Sequence, residues 1–387
     1  MFAAGDPSGD QHASAIVQRL STLMPGVRCF GIGGPAMRSM GFEPLMRFED
    51  FNRMGLWEVL VHLPFFLKAK KILTTAMDSN KPEALVCVDY PGLNIPLMKE
   101  AYKRGIPVVW YIVPQVWAWK KKRAALLGKY ASYIGAVFPF EVDFFKSYSA
   151  PISFVGHPLV EARQYRNKVN GTGEIKNQRD RDSILLLVPG SRKQEVAAIL
   201  PVMINAAVLL KRQYPTMRVL VSKCHGLPMD LYQPACLQTD IDVFEGRLSD
   251  VLDRVRYALV TSGTATLETA FAGVPMVIVY RTSAVTYWIL KQMVRVQYIG
   301  LPNIVAGERI VPECIQRKAN GHELAQEMKK YVESPDYYEL TVKKLARLRG
   351  VLGGKNPSGE VALAIETIVN RKRLHESTVV GRGHANR

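Results

Sequence analysis

The sequence predicts an α/β protein of two domains, each built on a parallel sheet. Three observations carry that expectation. Short apolar runs alternate with helix-forming segments along the whole chain. The length, 387 residues, favours two domains over one. A polar, glycine-bearing stretch from Arg163 to Asp182 then breaks the rhythm near the middle. The expected division is an N-terminal domain over 1–162, a linker or surface loop over 163–182 and a C-terminal domain over 183–350. A last helix and a basic tail fill 351–387.

In the first half the apolar runs place strands at Met1–Ala4, Val27–Ile32, Ala84–Val88, Pro107–Ile112, Tyr133–Val137 and Ile152–Val155. The first is short. It feeds the turn Gly5-Asp-Pro-Ser-Gly-Asp10, with a helix expected from about Gln11. That turn reads either as a face for phosphate or sugar or as an ordinary capped helix start. Gly31-Ile-Gly33-Gly34-Pro35-Ala36 fits the dinucleotide pattern G-x-G-x-x-A, with Glu49 and Asp50 at about the right distance. Pro35 stands where the helix should begin, and the pattern belongs on the first strand of its fold, so a nicotinamide site fits poorly.

Met54 to Leu67 is apolar with few charges, and Lys68, Lys70 and Lys71 follow. A membrane-interface segment and a buried core helix both fit. Asp89 ends an apolar strand before Tyr90-Pro-Gly-Leu-Asn94. A carboxylate at a strand tip suits general-base work, and an N-capping aspartate looks the same in sequence. Trp117 and Trp119 then run into Lys120-Lys-Lys-Arg123, a pairing of aromatics and cations that suits a phosphorylated, partly apolar molecule.

In the second half, strands are expected at Ile184–Val188, Arg218–Val221, Ile241–Phe244, Tyr257–Val260 and Pro275–Tyr280. Two of them end in anion-friendly turns. After Val188 come Pro189-Gly190-Ser191-Arg192, with a helix from about Glu195 to Lys211. Gly190 permits the turn, and Arg192 offers a planar, permanently charged fork, unless it pairs with Glu195 one turn on. After Val260 come Thr261-Ser262-Gly263-Thr264 and a helix carrying Leu267, Ala270 and Phe271. Backbone N–H groups at such a helix start point outward and attract phosphate. Glu268, about one turn in, can reach a ribose. Two such turns at strand ends argue for one ligand with a diphosphate. From Pro357 a last helix is expected, with Val361, Ala364, Ile365, Ile368 and Val369 on one face; the tail after Arg371 reads as mobile.

Composition narrows the partners. The formal charge of +17, from 51 basic and 34 acidic residues, calls for an acidic partner. The candidates are nucleic acid, anionic membrane and phosphorylated substrate. No RNA-binding signature appears, so nucleic acid is not expected. The five cysteines are scattered, with no Cys-x-x-Cys and no histidine at metal spacing, which fits a reducing compartment and no metal. No signal peptide and no membrane-spanning run of about 18 apolar residues is visible. No Walker A motif is present.

The ordered set of motifs resembles the lipid-A-disaccharide synthase family, glycosyltransferases of the GT-B fold with two Rossmann-like domains facing a central cleft. The matching pieces are Ala4–Asp10, Gly31–Met37, Met54–Leu60, Val113–Trp119, Pro139–Glu141, Phe154–Leu159, Leu187–Arg192, Ser262–Glu268, Leu301–Asn303 and Val311–Gln316. Asp6 stands where the family usually carries Glu. The family's Asp-x-Pro-Asp-Phe-Asn loop reads Asp89-Tyr-Pro-Gly-Leu-Asn94.

The resemblance implies inverting, metal- and cofactor-independent transfer of 2,3-diacylglucosamine from its UDP derivative to 2,3-diacylglucosamine 1-phosphate. Asp89 would be the catalytic base. UDP would be held by Gly190, Ser191, Arg192, Ser262, Gly263, Thr264, Glu268, Asn303 and Gln316. The acceptor would meet Asp6, Ser8, Gly9 and Gln115. The expected setting is cytoplasmic, peripheral on an anionic membrane surface at the inner face of the inner membrane, and a homodimer stays open. A GT-B transferase with another acceptor and a non-catalytic nucleotide-sugar binder are the competing readings.

Overall fold

The computed structural model of the chain describes residues 1–50, 63–114, 122–169, 182–238, 240–282 and 297–384. It falls into two compact units, Met1–Glu161 with Gly354–Arg387, and Ala162–Gly353.

The first unit carries β1 (Phe2–Ala4), α1 (Pro7–Leu23), β2 (Phe30–Gly33), α2 (Pro35–Arg38), β3 (Glu43–Arg47), α3 (Leu63–Asn80), β4 (Leu85–Val88) and α4 (Pro91–Lys103). It continues with β5 (Val108–Tyr111), α5 (Lys122–Tyr130), β6 (Tyr133–Ala136), α6 (Pro139–Lys146) and β7 (Ile152–Phe154). α7 (Pro158–Val169) contains the unit boundary. Its strands form one parallel sheet in the order β3-β2-β1-β4-β5-β6-β7. β1, β2, β4 and β5 are buried along their whole length, which is why they read as unbroken apolar runs. β2 passes very close to β1: a Cβ on Gly31, at φ +133°, would lie 2.1 Å from the Phe2 carbonyl oxygen. α1 buries Ala13, Ile16, Val17 and Leu20, a helical stripe.

The second unit carries β8 (Ile184–Val188), α8 (Lys193–Gln213), β9 (Arg218–Lys223), α9 (Gln233–Cys236), β10 (Ile241–Glu245), α10 (Leu248–Val251), β11 (Tyr257–Thr261) and α11 (Thr264–Phe271). Then come β12 (Met276–Tyr280), α12 (Leu301–Ala306), β13 (Glu313–Ile315), α13 (Gly321–Glu333) and α14 (Pro335–Leu352). Its parallel sheet runs β10-β9-β8-β11-β12-β13. α8 has the length and apolarity to cross a bilayer, but half of that stretch is buried inside the unit, with Val196, Ile199, Leu200 and Met203 in the core with β8 and β9. It is a core helix.

α15 (Pro357–His384) returns to the first unit. It buries Val361, Ala362, Ile365 and Val369 and packs on α1. It is tied there by Lys355, which donates to the Phe154 carbonyl at 2.7 Å, and by the Arg373–Glu83 ion pair.

Four features depart from the sequence reading. β3 and β13 are unanticipated: β3 is an edge strand whose residues are almost all exposed, and β13 has three residues, so neither shows an apolar run. α7 occupies the first part of the stretch read as a linker, 163–182, because Ala162 to Val169 holds no proline or glycine and simply continues a helix begun at Pro158. The tail after Arg371 is helical as far as His384, since no helix breaker precedes Gly381. The helix after the first turn starts at Pro7 rather than Gln11, because a proline is welcome at the first helical position. Gln115, Trp117 and Trp119 lie outside the described residues, as does Met54–His62 of the apolar segment.

Candidate active site

In both sheets the strand order reverses at one junction, β1/β4 in the first and β8/β11 in the second. Helices leave on opposite sides of such a junction and open a crevice at the strands' carboxyl ends, where α/β sheets take their ligands. The turns singled out in the sequence stand at those two junctions.

At β1/β4 the Gly5–Asp10 turn meets the Asp89–Asn94 turn. Asp6 caps α1, one carboxylate oxygen accepting from Gly9 N–H at 2.6 Å. Ser8 is exposed, with its Oγ 3.1 Å from His12 Nε2. Asp89 and Tyr90 are both left-handed, at φ +43° and +44°. That conformation costs roughly 1–2 kcal/mol per residue for most side chains, so the surroundings must hold it. Three contacts do. Asp89 N–H donates to the Tyr111 carbonyl at 2.9 Å, and the Tyr90 ring lies on Gly5, where a Cβ would come within 2.8 Å of the ring. The third is Asn94, fully buried at 0 % exposure, whose Nδ2 lies 3.1, 3.2 and 2.7 Å from the carbonyls of Ala3, Val88 and Asp89. One amide thus ties β1, β4 and the aspartate turn. Asn94→Ala is expected to cost about 1–3 kcal/mol of stability and to lower turnover while UDP affinity holds. Thermal unfolding and calorimetry check this, and unchanged turnover in a folded variant would remove the positioning role.

Asp89 is partly buried. Burial first, and then the neighbouring Asp6 carboxylate, push its carboxyl up to about 6, against the backbone N–H of Tyr90. It is therefore a stronger base than an ordinary aspartate and still ionised at neutral pH. Two other candidate acids, Asp10 and Glu141, are taken up by backbone N–H groups. Asp10 accepts from Gly34 at 2.6 Å, Ala36 at 2.9 Å and Met37 at 3.1 Å. Glu141 is buried and accepts from Val137 and Phe138 N–H, both at 3.1 Å. His12 is pushed down to about 4 by burial.

The Asp10 contacts also dispose of the dinucleotide pattern. The N–H groups of Gly34, Ala36 and Met37, which would cradle a pyrophosphate, already hold a carboxylate of the same chain. A Cβ on Gly34 would lie 1.9 Å from the Phe48 ring, so this glycine serves close packing. Glu49, the acid that would take a ribose, pairs with Arg38 at 2.9 Å.

At β8/β11 a cleft of about 640 Å³ is lined by the Gly190–Arg192 turn, the Ser262–Thr264 turn and Glu268. Gly190, at φ +125°, and Gly263, at φ +153° and ψ −166°, hold conformations that belong to glycine. No side chain caps α11. Its N-terminus therefore presents backbone donors and the positive end of the dipole to the cleft. Ser262 Oγ donates to the Ile299 carbonyl at 3.0 Å, fixing the turn. Arg192 does pair with Glu195, at 3.0 Å, yet its side chain is 71 % exposed, so the guanidinium keeps donors for a ligand.

Asn303 and Gln316 stand apart from this cleft. Asn303 is completely buried. Its Oδ1 accepts from Ile310 and Val311, and its Nδ2 donates to the Val311 carbonyl and to Glu313. Gln316 exchanges two hydrogen bonds with the backbone of Thr282. The Asn303 amide is fully spent inside the chain, Gln316 is held by Thr282, and neither lines the cleft. The sequence reading in turn missed Lys223, His225, Glu245 and Arg247, which do line it. Among the described residues no group of three His, Cys, Asp or Glu is placed to hold a metal.

Comparison with known proteins gives this geometry a family. The sequence profile of lipid-A-disaccharide synthetase matches residues 1–352. The lipid-A-disaccharide synthase of Geobacter sulfurreducens is 38 % identical over 365 residues, 94 % of this chain and 95 % of that protein. The Coxiella burnetii enzyme of the same name is 33 % identical over 95 % of this chain and 98 % of its own. Among solved structures, UDP-GlcNAc 2-epimerase from Neisseria meningitidis covers 96 % of this chain and 98 % of its own at TM-score 0.58 and 12 % identity. The calicheamicin glycosyltransferase covers 93 % and 94 % at TM-score 0.58 and 15 % identity. At such identities these structures bear on the fold, which is GT-B. With one profile spanning both switch-point sites and relatives above 30 % identity over nearly the whole length, the chain belongs to the lipid-A-disaccharide synthase family.

Proposed function

We propose that Asp89 and the β8/β11 cleft carry out the reaction of this family in the present chain. The chain is a hexosyltransferase of lipid A biosynthesis. It joins the 2,3-diacylglucosamine of its UDP derivative to 2,3-diacylglucosamine 1-phosphate, giving the β-1,6-linked disaccharide 1-phosphate and UDP. The observation that carries the assignment of roles is the placing of a raised-pKa carboxylate at one switch point and an uncapped helix start with Arg192 at the other.

In the chemistry this supports, the acceptor's 6-hydroxyl attacks the anomeric carbon as Asp89 takes its proton. The bond to the UDP oxygen breaks, and the electron pair leaves on the diphosphate. Arg192 and the N–H groups at the start of α11 then stabilise that charge where it develops. Glu268 is assigned to the ribose, and Asp6, Ser8 and Gly9 to the acceptor sugar.

Incubation of purified protein with both substrates, followed by mass spectrometry, tests the reaction. UDP and a disaccharide 1-phosphate are expected together. UDP release with no disaccharide, or the same yield with non-acylated acceptors, would overturn the substrate assignment.

Membrane attachment belongs to the same reading. Both substrates carry acyl chains, and the charge is +17. In α3, Phe65 and Phe66 pack partly on the core, whereas Leu67 is 59 % exposed and Lys68 and Lys71 are exposed beside it. Each lysine near an anionic surface contributes about 1 kcal/mol. Leu67→Ser with Lys68→Ser should weaken sedimentation with anionic liposomes, and the lysine's share of that loss should shrink as salt rises and screens it. Unaltered sedimentation would detach this helix from the membrane face.

A further inference from the structure

The nucleotide cleft continues past the two anion turns, and its far wall carries chemistry that the reaction above leaves unused. In the sheet, β9 follows β8 on the side away from β11, and β10 follows β9. With strands about 4.8 Å apart, the tips of β9 and β10 stand roughly 10 and 14 Å from that of β11. A nucleoside diphosphate with its phosphates over the β8/β11 junction, filling the rest of this cleft, carries its base toward β9 and β10.

Lys223 and Glu245 end those two strands and stand directly opposite each other in the ladder. Lys223 Nζ donates to Glu245 Oε1 at 2.6 Å. The lysine side chain is only 7 % exposed, whereas that of the glutamate is 57 % exposed, and both line the cleft. A covered ammonium has three hydrogens to place, and one carboxylate oxygen takes one of them. The remaining donors sit beside an acceptor oxygen on the cleft wall. That pairing is complementary to one edge of uracil, on which a carbonyl oxygen accepts and the adjacent N3–H donates. Cytosine reverses both positions: its amino group would face the ammonium, and its bare ring nitrogen would face the carboxylate.

We propose that the Lys223–Glu245 pair is the base-reading edge of this cleft and selects a uracil nucleotide over a cytosine one. The inference rests on the assignment of the cleft to UDP.

Calorimetric titration of the full chain with UDP, CDP and inorganic pyrophosphate tests it. The parent should prefer UDP to CDP by roughly ten- to a hundredfold, the discrimination of a two-point base contact. Lys223→Met should bring that ratio close to one and leave pyrophosphate binding unchanged, which also reports a folded cleft. Glu245→Gln alters an exposed residue, and its amide can donate to the cytosine ring nitrogen, so CDP should gain on UDP. Equal weakening of all three ligands in Lys223→Met would assign the ammonium to phosphate and overturn the inference. A UDP-to-CDP ratio that stays put in both variants would overturn it too. A parent chain that binds no UDP would remove the assignment of the cleft itself, an outcome distinct from either.

Discussion

Asp89→Asn should lower kcat by about 10²–10⁴-fold, the usual worth of general-base help, and leave UDP affinity unchanged. Asparagine is well suited to the test. It keeps the shape of aspartate and tolerates the left-handed backbone at φ +43°. The pH profile adds a second readout. The base works only when ionised, so kcat/KM of the parent should rise with pH through about 6 and level off above it, where the carboxyl titrates. The variant should lack that limb.

Stability should move in the opposite direction. The fold raises this carboxyl from 3.8 to about 6, so it favours the protonated form. Well below pH 3.8 both folded and unfolded chains hold the proton, and the site costs nothing. Between about pH 4 and 6 the unfolded chain ionises while the folded one keeps its proton, so the cost grows across that window to about 3 kcal/mol and stays level above it. Asp89→Asn removes this cost. The inactive variant should unfold later than the parent at pH 8, with the gain fading toward pH 4. Near-parental turnover would transfer the role of base to the Gly5–His12 turn.

Arg192→Ala should weaken UDP binding by roughly ten- to a hundredfold, from loss of a charge-assisted contact of about 1.5–3 kcal/mol. The pairing with Glu195 sharpens this expectation, because the carboxylate competes with the diphosphate for the same guanidinium. Glu195→Gln should therefore hold UDP at least as well as the parent, which separates a ligand-binding arginine from one retained to anchor the helix start. Calorimetry at two salt concentrations should show a shallower salt dependence for Arg192→Ala, since one phosphate contact has gone. UDP binding unchanged in both Arg192→Ala and Glu268→Gln would place the diphosphate elsewhere.

Both switch-point turns are legible in the sequence for a plain reason. A buried parallel strand is an unbroken apolar run, and the change to glycine, serine and threonine after Val188 and Val260 marks where the backbone leaves the sheet. Lys223 and Glu245 escape the same reading because their strands end in polar residues. The apolar run of β9 stops at Val221 and that of β10 at Phe244, so the tips that line the cleft look like loop. Asn303 and Gln316 fall outside the cleft for another reason. An amide that ties the chain to itself and one that reaches a ligand carry the same donors and acceptor, and only burial tells them apart. The pattern at Gly31–Ala36 is ambiguous in the same way, since a cradle of N–H groups suits a pyrophosphate or a carboxylate, and Asp10, in the first turn of α1, is the carboxylate.

The return of α15 has a consequence for how the chain is made. Residues from both ends build one unit, while the other is a single uninterrupted stretch. On the ribosome the second unit can close as soon as Gly353 has emerged. The first must wait with the face of α1 bare, on the order of ten seconds or more after its own sheet is complete at about 5–20 residues per second. Asp89 is thus synthesised well before α15, and the unit around it closes only once α15 has emerged. A nascent chain stalled at Gly353 should present a protease-resistant nucleotide unit beside a base-bearing sheet that is still open to cleavage.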